Sequence, residues 1–144
     1  MNWFKNLFSS PPKPQLSIKI DGFGDLNYDN DSESWIAIIN STKFHISYEG
    51  ENIPNSDLIQ YAKRVSNDLK SILLYVNSEF DKHKIKYPNH SDDLKNPEID
   101  FISINRYDDE IWFMIFFIPK YIDRSWRFEA HGDKYERQCL GYDS

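Results

Sequence analysis

The feature that most constrains this chain is one apolar stripe in its middle. Leu58, Tyr61, Ala62, Val65, Leu69, Ile72, Leu73, Val76 and Phe80 recur at steps of three and four residues, the spacing that gathers side chains on one face of an α-helix. Asn55 or Ser56 can accept a backbone N–H as the N-cap, and Asp57 beside them complements the positive end of the helix dipole. The helix is predicted to end near Lys82, His83 and Lys84, where positive charge suits the unpaired carbonyls. A stripe this continuous has to be buried against something, which makes the helix a poor candidate for the working surface.

The flanking sequence supplies strands for it to cover. On the N-terminal side, residues 16–21, 26–28, 34–39 and 43–48 are short β-type segments separated by polar turn residues, the pattern of an antiparallel meander. Beyond a loop at 85–98 that contains Pro88 and Pro97, residues 99–105, 111–118, 125–130 and 135–142 form a second group. The unbroken apolar run at 111–118 predicts an interior strand covered at least in part on both faces. The expected fold class is therefore α+β, an antiparallel sheet made of two groups of strands packed against one long amphipathic helix. With 144 residues the chain is long enough for one core, and residues 15–144 are expected to form one domain. Residues 1–14 read as a separate piece. Trp3, Phe4, Leu7 and Phe8 would gather on one side of a short helical turn, and Pro11, Pro12 and Pro14 make a stiff spacer behind them. Docking back onto the domain is the expectation for this segment, ahead of a membrane surface or a partner.

Catalytic and cofactor chemistry finds little to work with. There is no Gly-rich phosphate loop, no serine in a nucleophile elbow and no histidine pair at helical metal spacing. His45, His83, His90 and His131 fall on separate segments, and the single cysteine, Cys139, has no CxxC partner, so neither a metal site nor a cofactor is expected. Cys139 reads as a small core residue of a strand. Residues 29–33 have acids at alternate positions like the start of a calcium loop, but Ser34 stands where the sharp turn needs Gly and Asn40 where the bidentate Glu belongs. A polar hairpin turn is the expectation there. Trp126 with Arg124, Arg127 and Tyr121 mixes aromatics and guanidiniums, and the expectation is an internal strand with Trp126 buried. An enzyme is not expected.

Charge points instead to binding. The net charge is −6, from 23 acidic and 17 basic residues, so direct contact with nucleic acid is disfavoured and a basic protein partner is favoured. The acids concentrate in the predicted loops: Asp21, Asp25, Asp29, Asp31 and Glu33, then Glu49 and Glu51, then Asp108, Asp109 and Glu110. These ten form the candidate partner-binding set. One cysteine cannot staple a secreted scaffold, the first ten residues lack the apolar core of a secretory signal, and no stretch nears the ~20 apolar residues of a membrane span. A cytoplasmic location is expected.

The segment Asp123-Arg124-Ser125-Trp126-Arg127-Phe128-Glu129, followed by Gly132-Asp133 and Leu140-Gly141-Tyr142-Asp143, resembles the ending of small bacterial domains that accompany polymorphic toxins as immunity proteins. Phe23-Gly24-Asp25-Leu26, Ser34-Trp35 and Leu58-Ile59-Gln60-Tyr61-Ala62 through Asp68-Leu69 are similar to those domains in order and spacing. The resemblance spans most of the chain but not the Trp3-Phe4 start or the proline spacer. It implies a non-catalytic protein that binds and neutralises a cognate toxin or effector, with the acidic loops occluding it. The competing expectation is an adaptor or chaperone-like module anchored through Trp3, Phe4, Leu7 and Phe8.

Overall fold

Asn55 starts the helix where its side chain predicts, accepting the backbone N–H of Asp57 at 3.3 Å. In the computed structural model, which describes residues 17–120 and 124–143, helix α1 runs Ser56–Lys86, and at 31 residues it is roughly 46 Å long. Tyr87 caps it through its backbone N–H to the His83 carbonyl, and Pro88, which cannot continue the ladder, opens a short 3-10 turn at Pro88–His90.

Among the described residues, four strands precede the helix: β1 (Ser17–Ile20), β2 (Gly24–Asp29), β3 (Ser34–Ile39) and β4 (Thr42–Ser47). Four follow it: β5 (Ile99–Tyr107), β6 (Glu110–Phe117), β7 (Ser125–His131) and β8 (Glu136–Asp143). The two groups are one sheet, in the spatial order of the sequence from β1 to β8. Every neighbouring pair is antiparallel except β4 and β5, where Phe44, His45 and Ile46 lie in parallel register with Ile102, Ser103 and Ile104. A parallel pair cannot be closed by a tight turn, so the chain has to travel back along the sheet between the two strands. The long helix makes that return, and in doing so lays its stripe across the sheet.

Period-two alternation then sorts the strand residues. Leu26, Trp35, Phe44, Ile46, Ile102, Ile104, Phe113, Ile115 and Phe128 are buried on the helix side with Leu58, Val65, Val76 and Phe80. Phe80 meets Phe117 and Trp126 edge-on, with ring centroids 5.1 and 6.2 Å apart, contacts worth about 1 kcal/mol each beyond the area they bury. Leu69 and Leu73 of the stripe are only half-buried. Strand β6 shows how far the second face is covered. Phe113, Ile115 and Phe117 are buried under the helix, whereas Trp112, Met114 and Phe116 stay half-exposed on the opposite face.

Two sequence expectations need adjustment. Cys139 is exposed on β8, because β8 is an edge strand and, among the described residues, no layer covers the face on which Cys139 lies beside Glu129. Trp126 is buried as expected, but not through apolar packing alone: its Nε1 donates to Asp93 at 3.2 Å, and Arg124 forms an ion pair with the same buried carboxylate. Asp93 lies in the 85–98 loop, so a stretch that reads as mere connection supplies a buried anchor. Tyr121, and residues 1–14 with Trp3, Phe4, Leu7 and Phe8, lie outside the described residues.

Candidate functional site

Antiparallel connectivity decides where the acidic loops go. The β2–β3 turn, the loop leaving β4, the β5–β6 turn and the β7–β8 turn all fall at one end of the sheet, because β4 and β5 run parallel and therefore finish together. The N-terminus of α1 is at the same end, tied there by Arg106, which donates to Glu49 at 2.9 Å and to Asp57 at 2.7 Å. Of the ten candidate residues, Asp29, Asp31, Glu33, Glu49, Glu51, Asp108, Asp109 and Glu110 share this end. Asp21 and Asp25 do not. Asp21 lies in the β1–β2 turn and Asp25 near the start of β2, at the opposite end.

The eight are not equivalent. Asp29 accepts the backbone N–H and the hydroxyl of Ser32 at 3.0 and 2.6 Å, which holds its carboxyl below the usual carboxylate range and stiffens the turn. Glu49 is committed to Arg106, whose guanidinium is in turn held protonated by Glu49 and Asp57. Glu110 lies 2.9 Å from His131 Nδ1, and His131 is stacked on Trp112 with centroids 4.2 Å apart. Asp31, Glu33, Glu51, Asp108 and Asp109 are exposed and form no ion pair among the described residues. Asp108 and Asp109 sit at φ 48° and 65° in a two-residue turn between Tyr107 and Glu110, which turns their carboxylates outward on a tight hairpin. Asp133, absent from the candidate set, joins this end through its ion pair with Arg64 at 3.0 Å.

The helix-free face of the sheet holds a feature that no local motif announces. A cavity of about 350 Å³ opens over β3 to β6 and reaches the β2–β3 turn. Its floor is aromatic: His45 lies on Phe101 with centroids 4.2 Å apart, and Phe101 stacks on Phe116 at 4.6 Å. Its walls are polar, from Ser34, Ser47, Ser103 and Asn105, with Glu33 at the acidic end. Asp29, Ser32, Ser34 and His45 are linked in a chain of hydrogen bonds, 2.6 Å from Ser32 to each of its neighbours and 3.4 Å from Ser34 to His45 Nδ1. Burial, reinforced by Lys43, lowers the affinity of His45 for a proton, so the ring is neutral near pH 7. The cavity residues come from β3, β4, β5 and β6, and only the pairing of the two strand groups puts them side by side. The alternation of residues 43–48 and 99–105 could have marked His45 and Ser103 as facing away from the helix, but not as neighbours.

A second cavity, of about 330 Å³, lies between α1 and β6 to β8, where Ile72, Tyr75, Phe113 and Phe128 give it apolar walls. Among the described residues no three His, Cys, Asp or Glu side chains are grouped to hold a metal ion, and no helix is long and apolar enough to cross a membrane.

No family model, curated protein or solved structure matches this chain.

Proposed function

We propose that this chain is a non-catalytic binding protein that captures a basic protein partner on the acidic end of its sheet, as an immunity protein captures the toxin it neutralises. The observation that carries this reading is the convergence of carboxylates from three separate loops on one end, with Asp31, Glu33, Glu51, Asp108 and Asp109 exposed and forming no ion pair among the described residues. Such a field steers a cationic surface toward one orientation and raises the encounter rate, and it needs no catalytic machinery. The resemblance noted in the sequence, carried by short patches such as residues 58–62 and 123–129, is in keeping with that chemistry.

The test has two parts. Co-expression with the product of a toxin-like reading frame beside this gene should restore growth to cells that the toxin alone arrests. Replacing Asp31, Glu33, Asp108 and Asp109 together by Asn or Gln should then slow association roughly ten-fold at low ionic strength and progressively less as salt is added. Failure to protect, or an association rate that the four substitutions leave unchanged at every salt concentration, would remove this reading.

A further inference from the structure

The cavity over β3 to β6 has a composition that selects its occupant. Its lining includes Glu33, Ser47, Ser103 and Asn105, which carry a carboxylate, hydroxyls and an amide, and among the described residues it includes no Lys or Arg. Asn105 spends one N–H on Ser103, which leaves its own carbonyl oxygen able to accept. The floor is formed by His45, Phe101 and Phe116, with His45 tilted 32° against Phe101 and Phe101 stacked on Phe116, and His45 is kept neutral by burial and therefore does not repel a cation. A planar group that is positively charged, rich in N–H donors and weakly enough hydrated to pack against aromatic rings satisfies all of these at once. Guanidinium has those properties and an ammonium has only some of them.

We infer that this cavity is an arginine pocket, and that the basic partner inserts one arginine side chain into it. The inference rests on the proposed capture of a basic protein, and it adds a specific anchor to what is otherwise long-range attraction. Two observations beyond the lining support it. The cavity is continuous with the acidic end, since Ser32 and Glu33 of the β2–β3 turn belong to both. Its polar side is also organised in advance, with the hydrogen-bonded chain from Asp29 to His45 holding one wall, so little ordering is left to be done when a side chain enters.

The isolated 144-residue chain, labelled with nitrogen-15, can be titrated with Nα-acetyl-arginine amide and followed by amide chemical shifts. The arginine compound should cause saturable shifts centred on Ser47, Phe101 and Ser103. The citrulline counterpart, which has nearly the same shape but no charge, should bind at least ten-fold more weakly. Glu33→Gln should weaken the arginine compound several-fold while leaving the melting temperature unchanged, because Glu33 is exposed in a turn. Shifts that do not saturate, that scatter over the acidic end without touching Phe101 and Ser103, or that citrulline reproduces at equal strength would overturn the inference. The two readings fail separately. A chain that binds the toxin but not the arginine compound loses only the pocket, and a chain that binds the arginine compound but no basic protein loses only the proposed partner.

Discussion

At the scale of single residues, the 85–98 loop and the C-terminal end of the helix hold the most consequential contacts. Asp93 is buried and receives both Arg124 and the Trp126 indole, so its charge is tolerated only because both donors are present. Asp93→Ala should lower unfolding free energy by about 3 kcal/mol, read from urea denaturation, since the change strands a guanidinium and an indole N–H in partly buried positions. Nearby, His83 Nε2 and His90 Nδ1 lie 2.9 Å apart, an arrangement that requires one ring to donate and the other to accept. Burial, with His90 and then Lys86 adding to it, lowers the affinity of His83 for a proton. The sign follows from that. Above the unfolded histidine pKa of roughly 6.5 both states are neutral and stability is constant; below it the unfolded chain takes up a proton that the folded chain resists, and stability falls. His45 is shifted in the same direction and adds to the loss. Melting temperature should therefore be flat from pH 8 to 7 and decline as pH drops below about 6.5, and His83→Gln should flatten part of that decline.

At the scale of elements, two hairpins use the same backbone solution. Asn40 and Ser41 at φ 49° and 65° join β3 to β4, and Asp108 and Asp109 at φ 48° and 65° join β5 to β6, each as a two-residue turn in the left-handed region. Ser and Asp are strained there where Gly is not. Ser41→Gly, far from the acidic end, should raise stability by roughly 0.5 to 1 kcal/mol, whereas Ser41→Val should lower it; differential scanning calorimetry on the two variants would decide. The same strain at Asp108 and Asp109 is compatible with a functional use, because Asp at both turn positions costs stability and gains exposed charge. Helix α1 is held at both ends by unlike devices. Arg106, Glu49 and Asp57 fix the start at a solvated surface, where such pairs contribute less than about 1 kcal/mol, and aromatic packing of Phe80 and His83 on Trp126 fixes the end.

At the scale of the whole molecule, the parallel pairing of β4 with β5 is the seam that makes one sheet of two meanders. Ile104 is fully buried on that seam beside Ile46, under the helix. Ile104→Ala should cost about 3 kcal/mol and, because the seam is shared, should reduce hydrogen-exchange protection in β3 and in β6 together. Loss of protection confined to β5 to β8 would mean that the two halves are energetically independent.

Much of this was legible in the sequence. Three- and four-residue apolar spacing placed α1, alternating or continuous apolar segments between polar turn residues placed the strands, and Asn55 or Ser56 marked the helix start, because each of these signals is local. Most of the acidic residues were legible as loop residues for the same reason, while Asp25, Asp29 and Glu110 lie at or near strand ends. Their grouping was not. That Glu33, Glu49 and Asp108 share one end while Asp21 and Asp25 lie at the other follows from strand order, and strand order depends on which edges pair after the helix has returned the chain. The same holds for the cavity: His45 and Ser103 stand side by side only because β4 and β5 pair in parallel, 58 residues apart in the chain. Sequence alone fixed the elements and the sign of the charge, since both depend on neighbouring residues. Tertiary structure decided which carboxylates act together and which aromatic rings form a floor, since burial and pairing across the sheet are properties of no single segment.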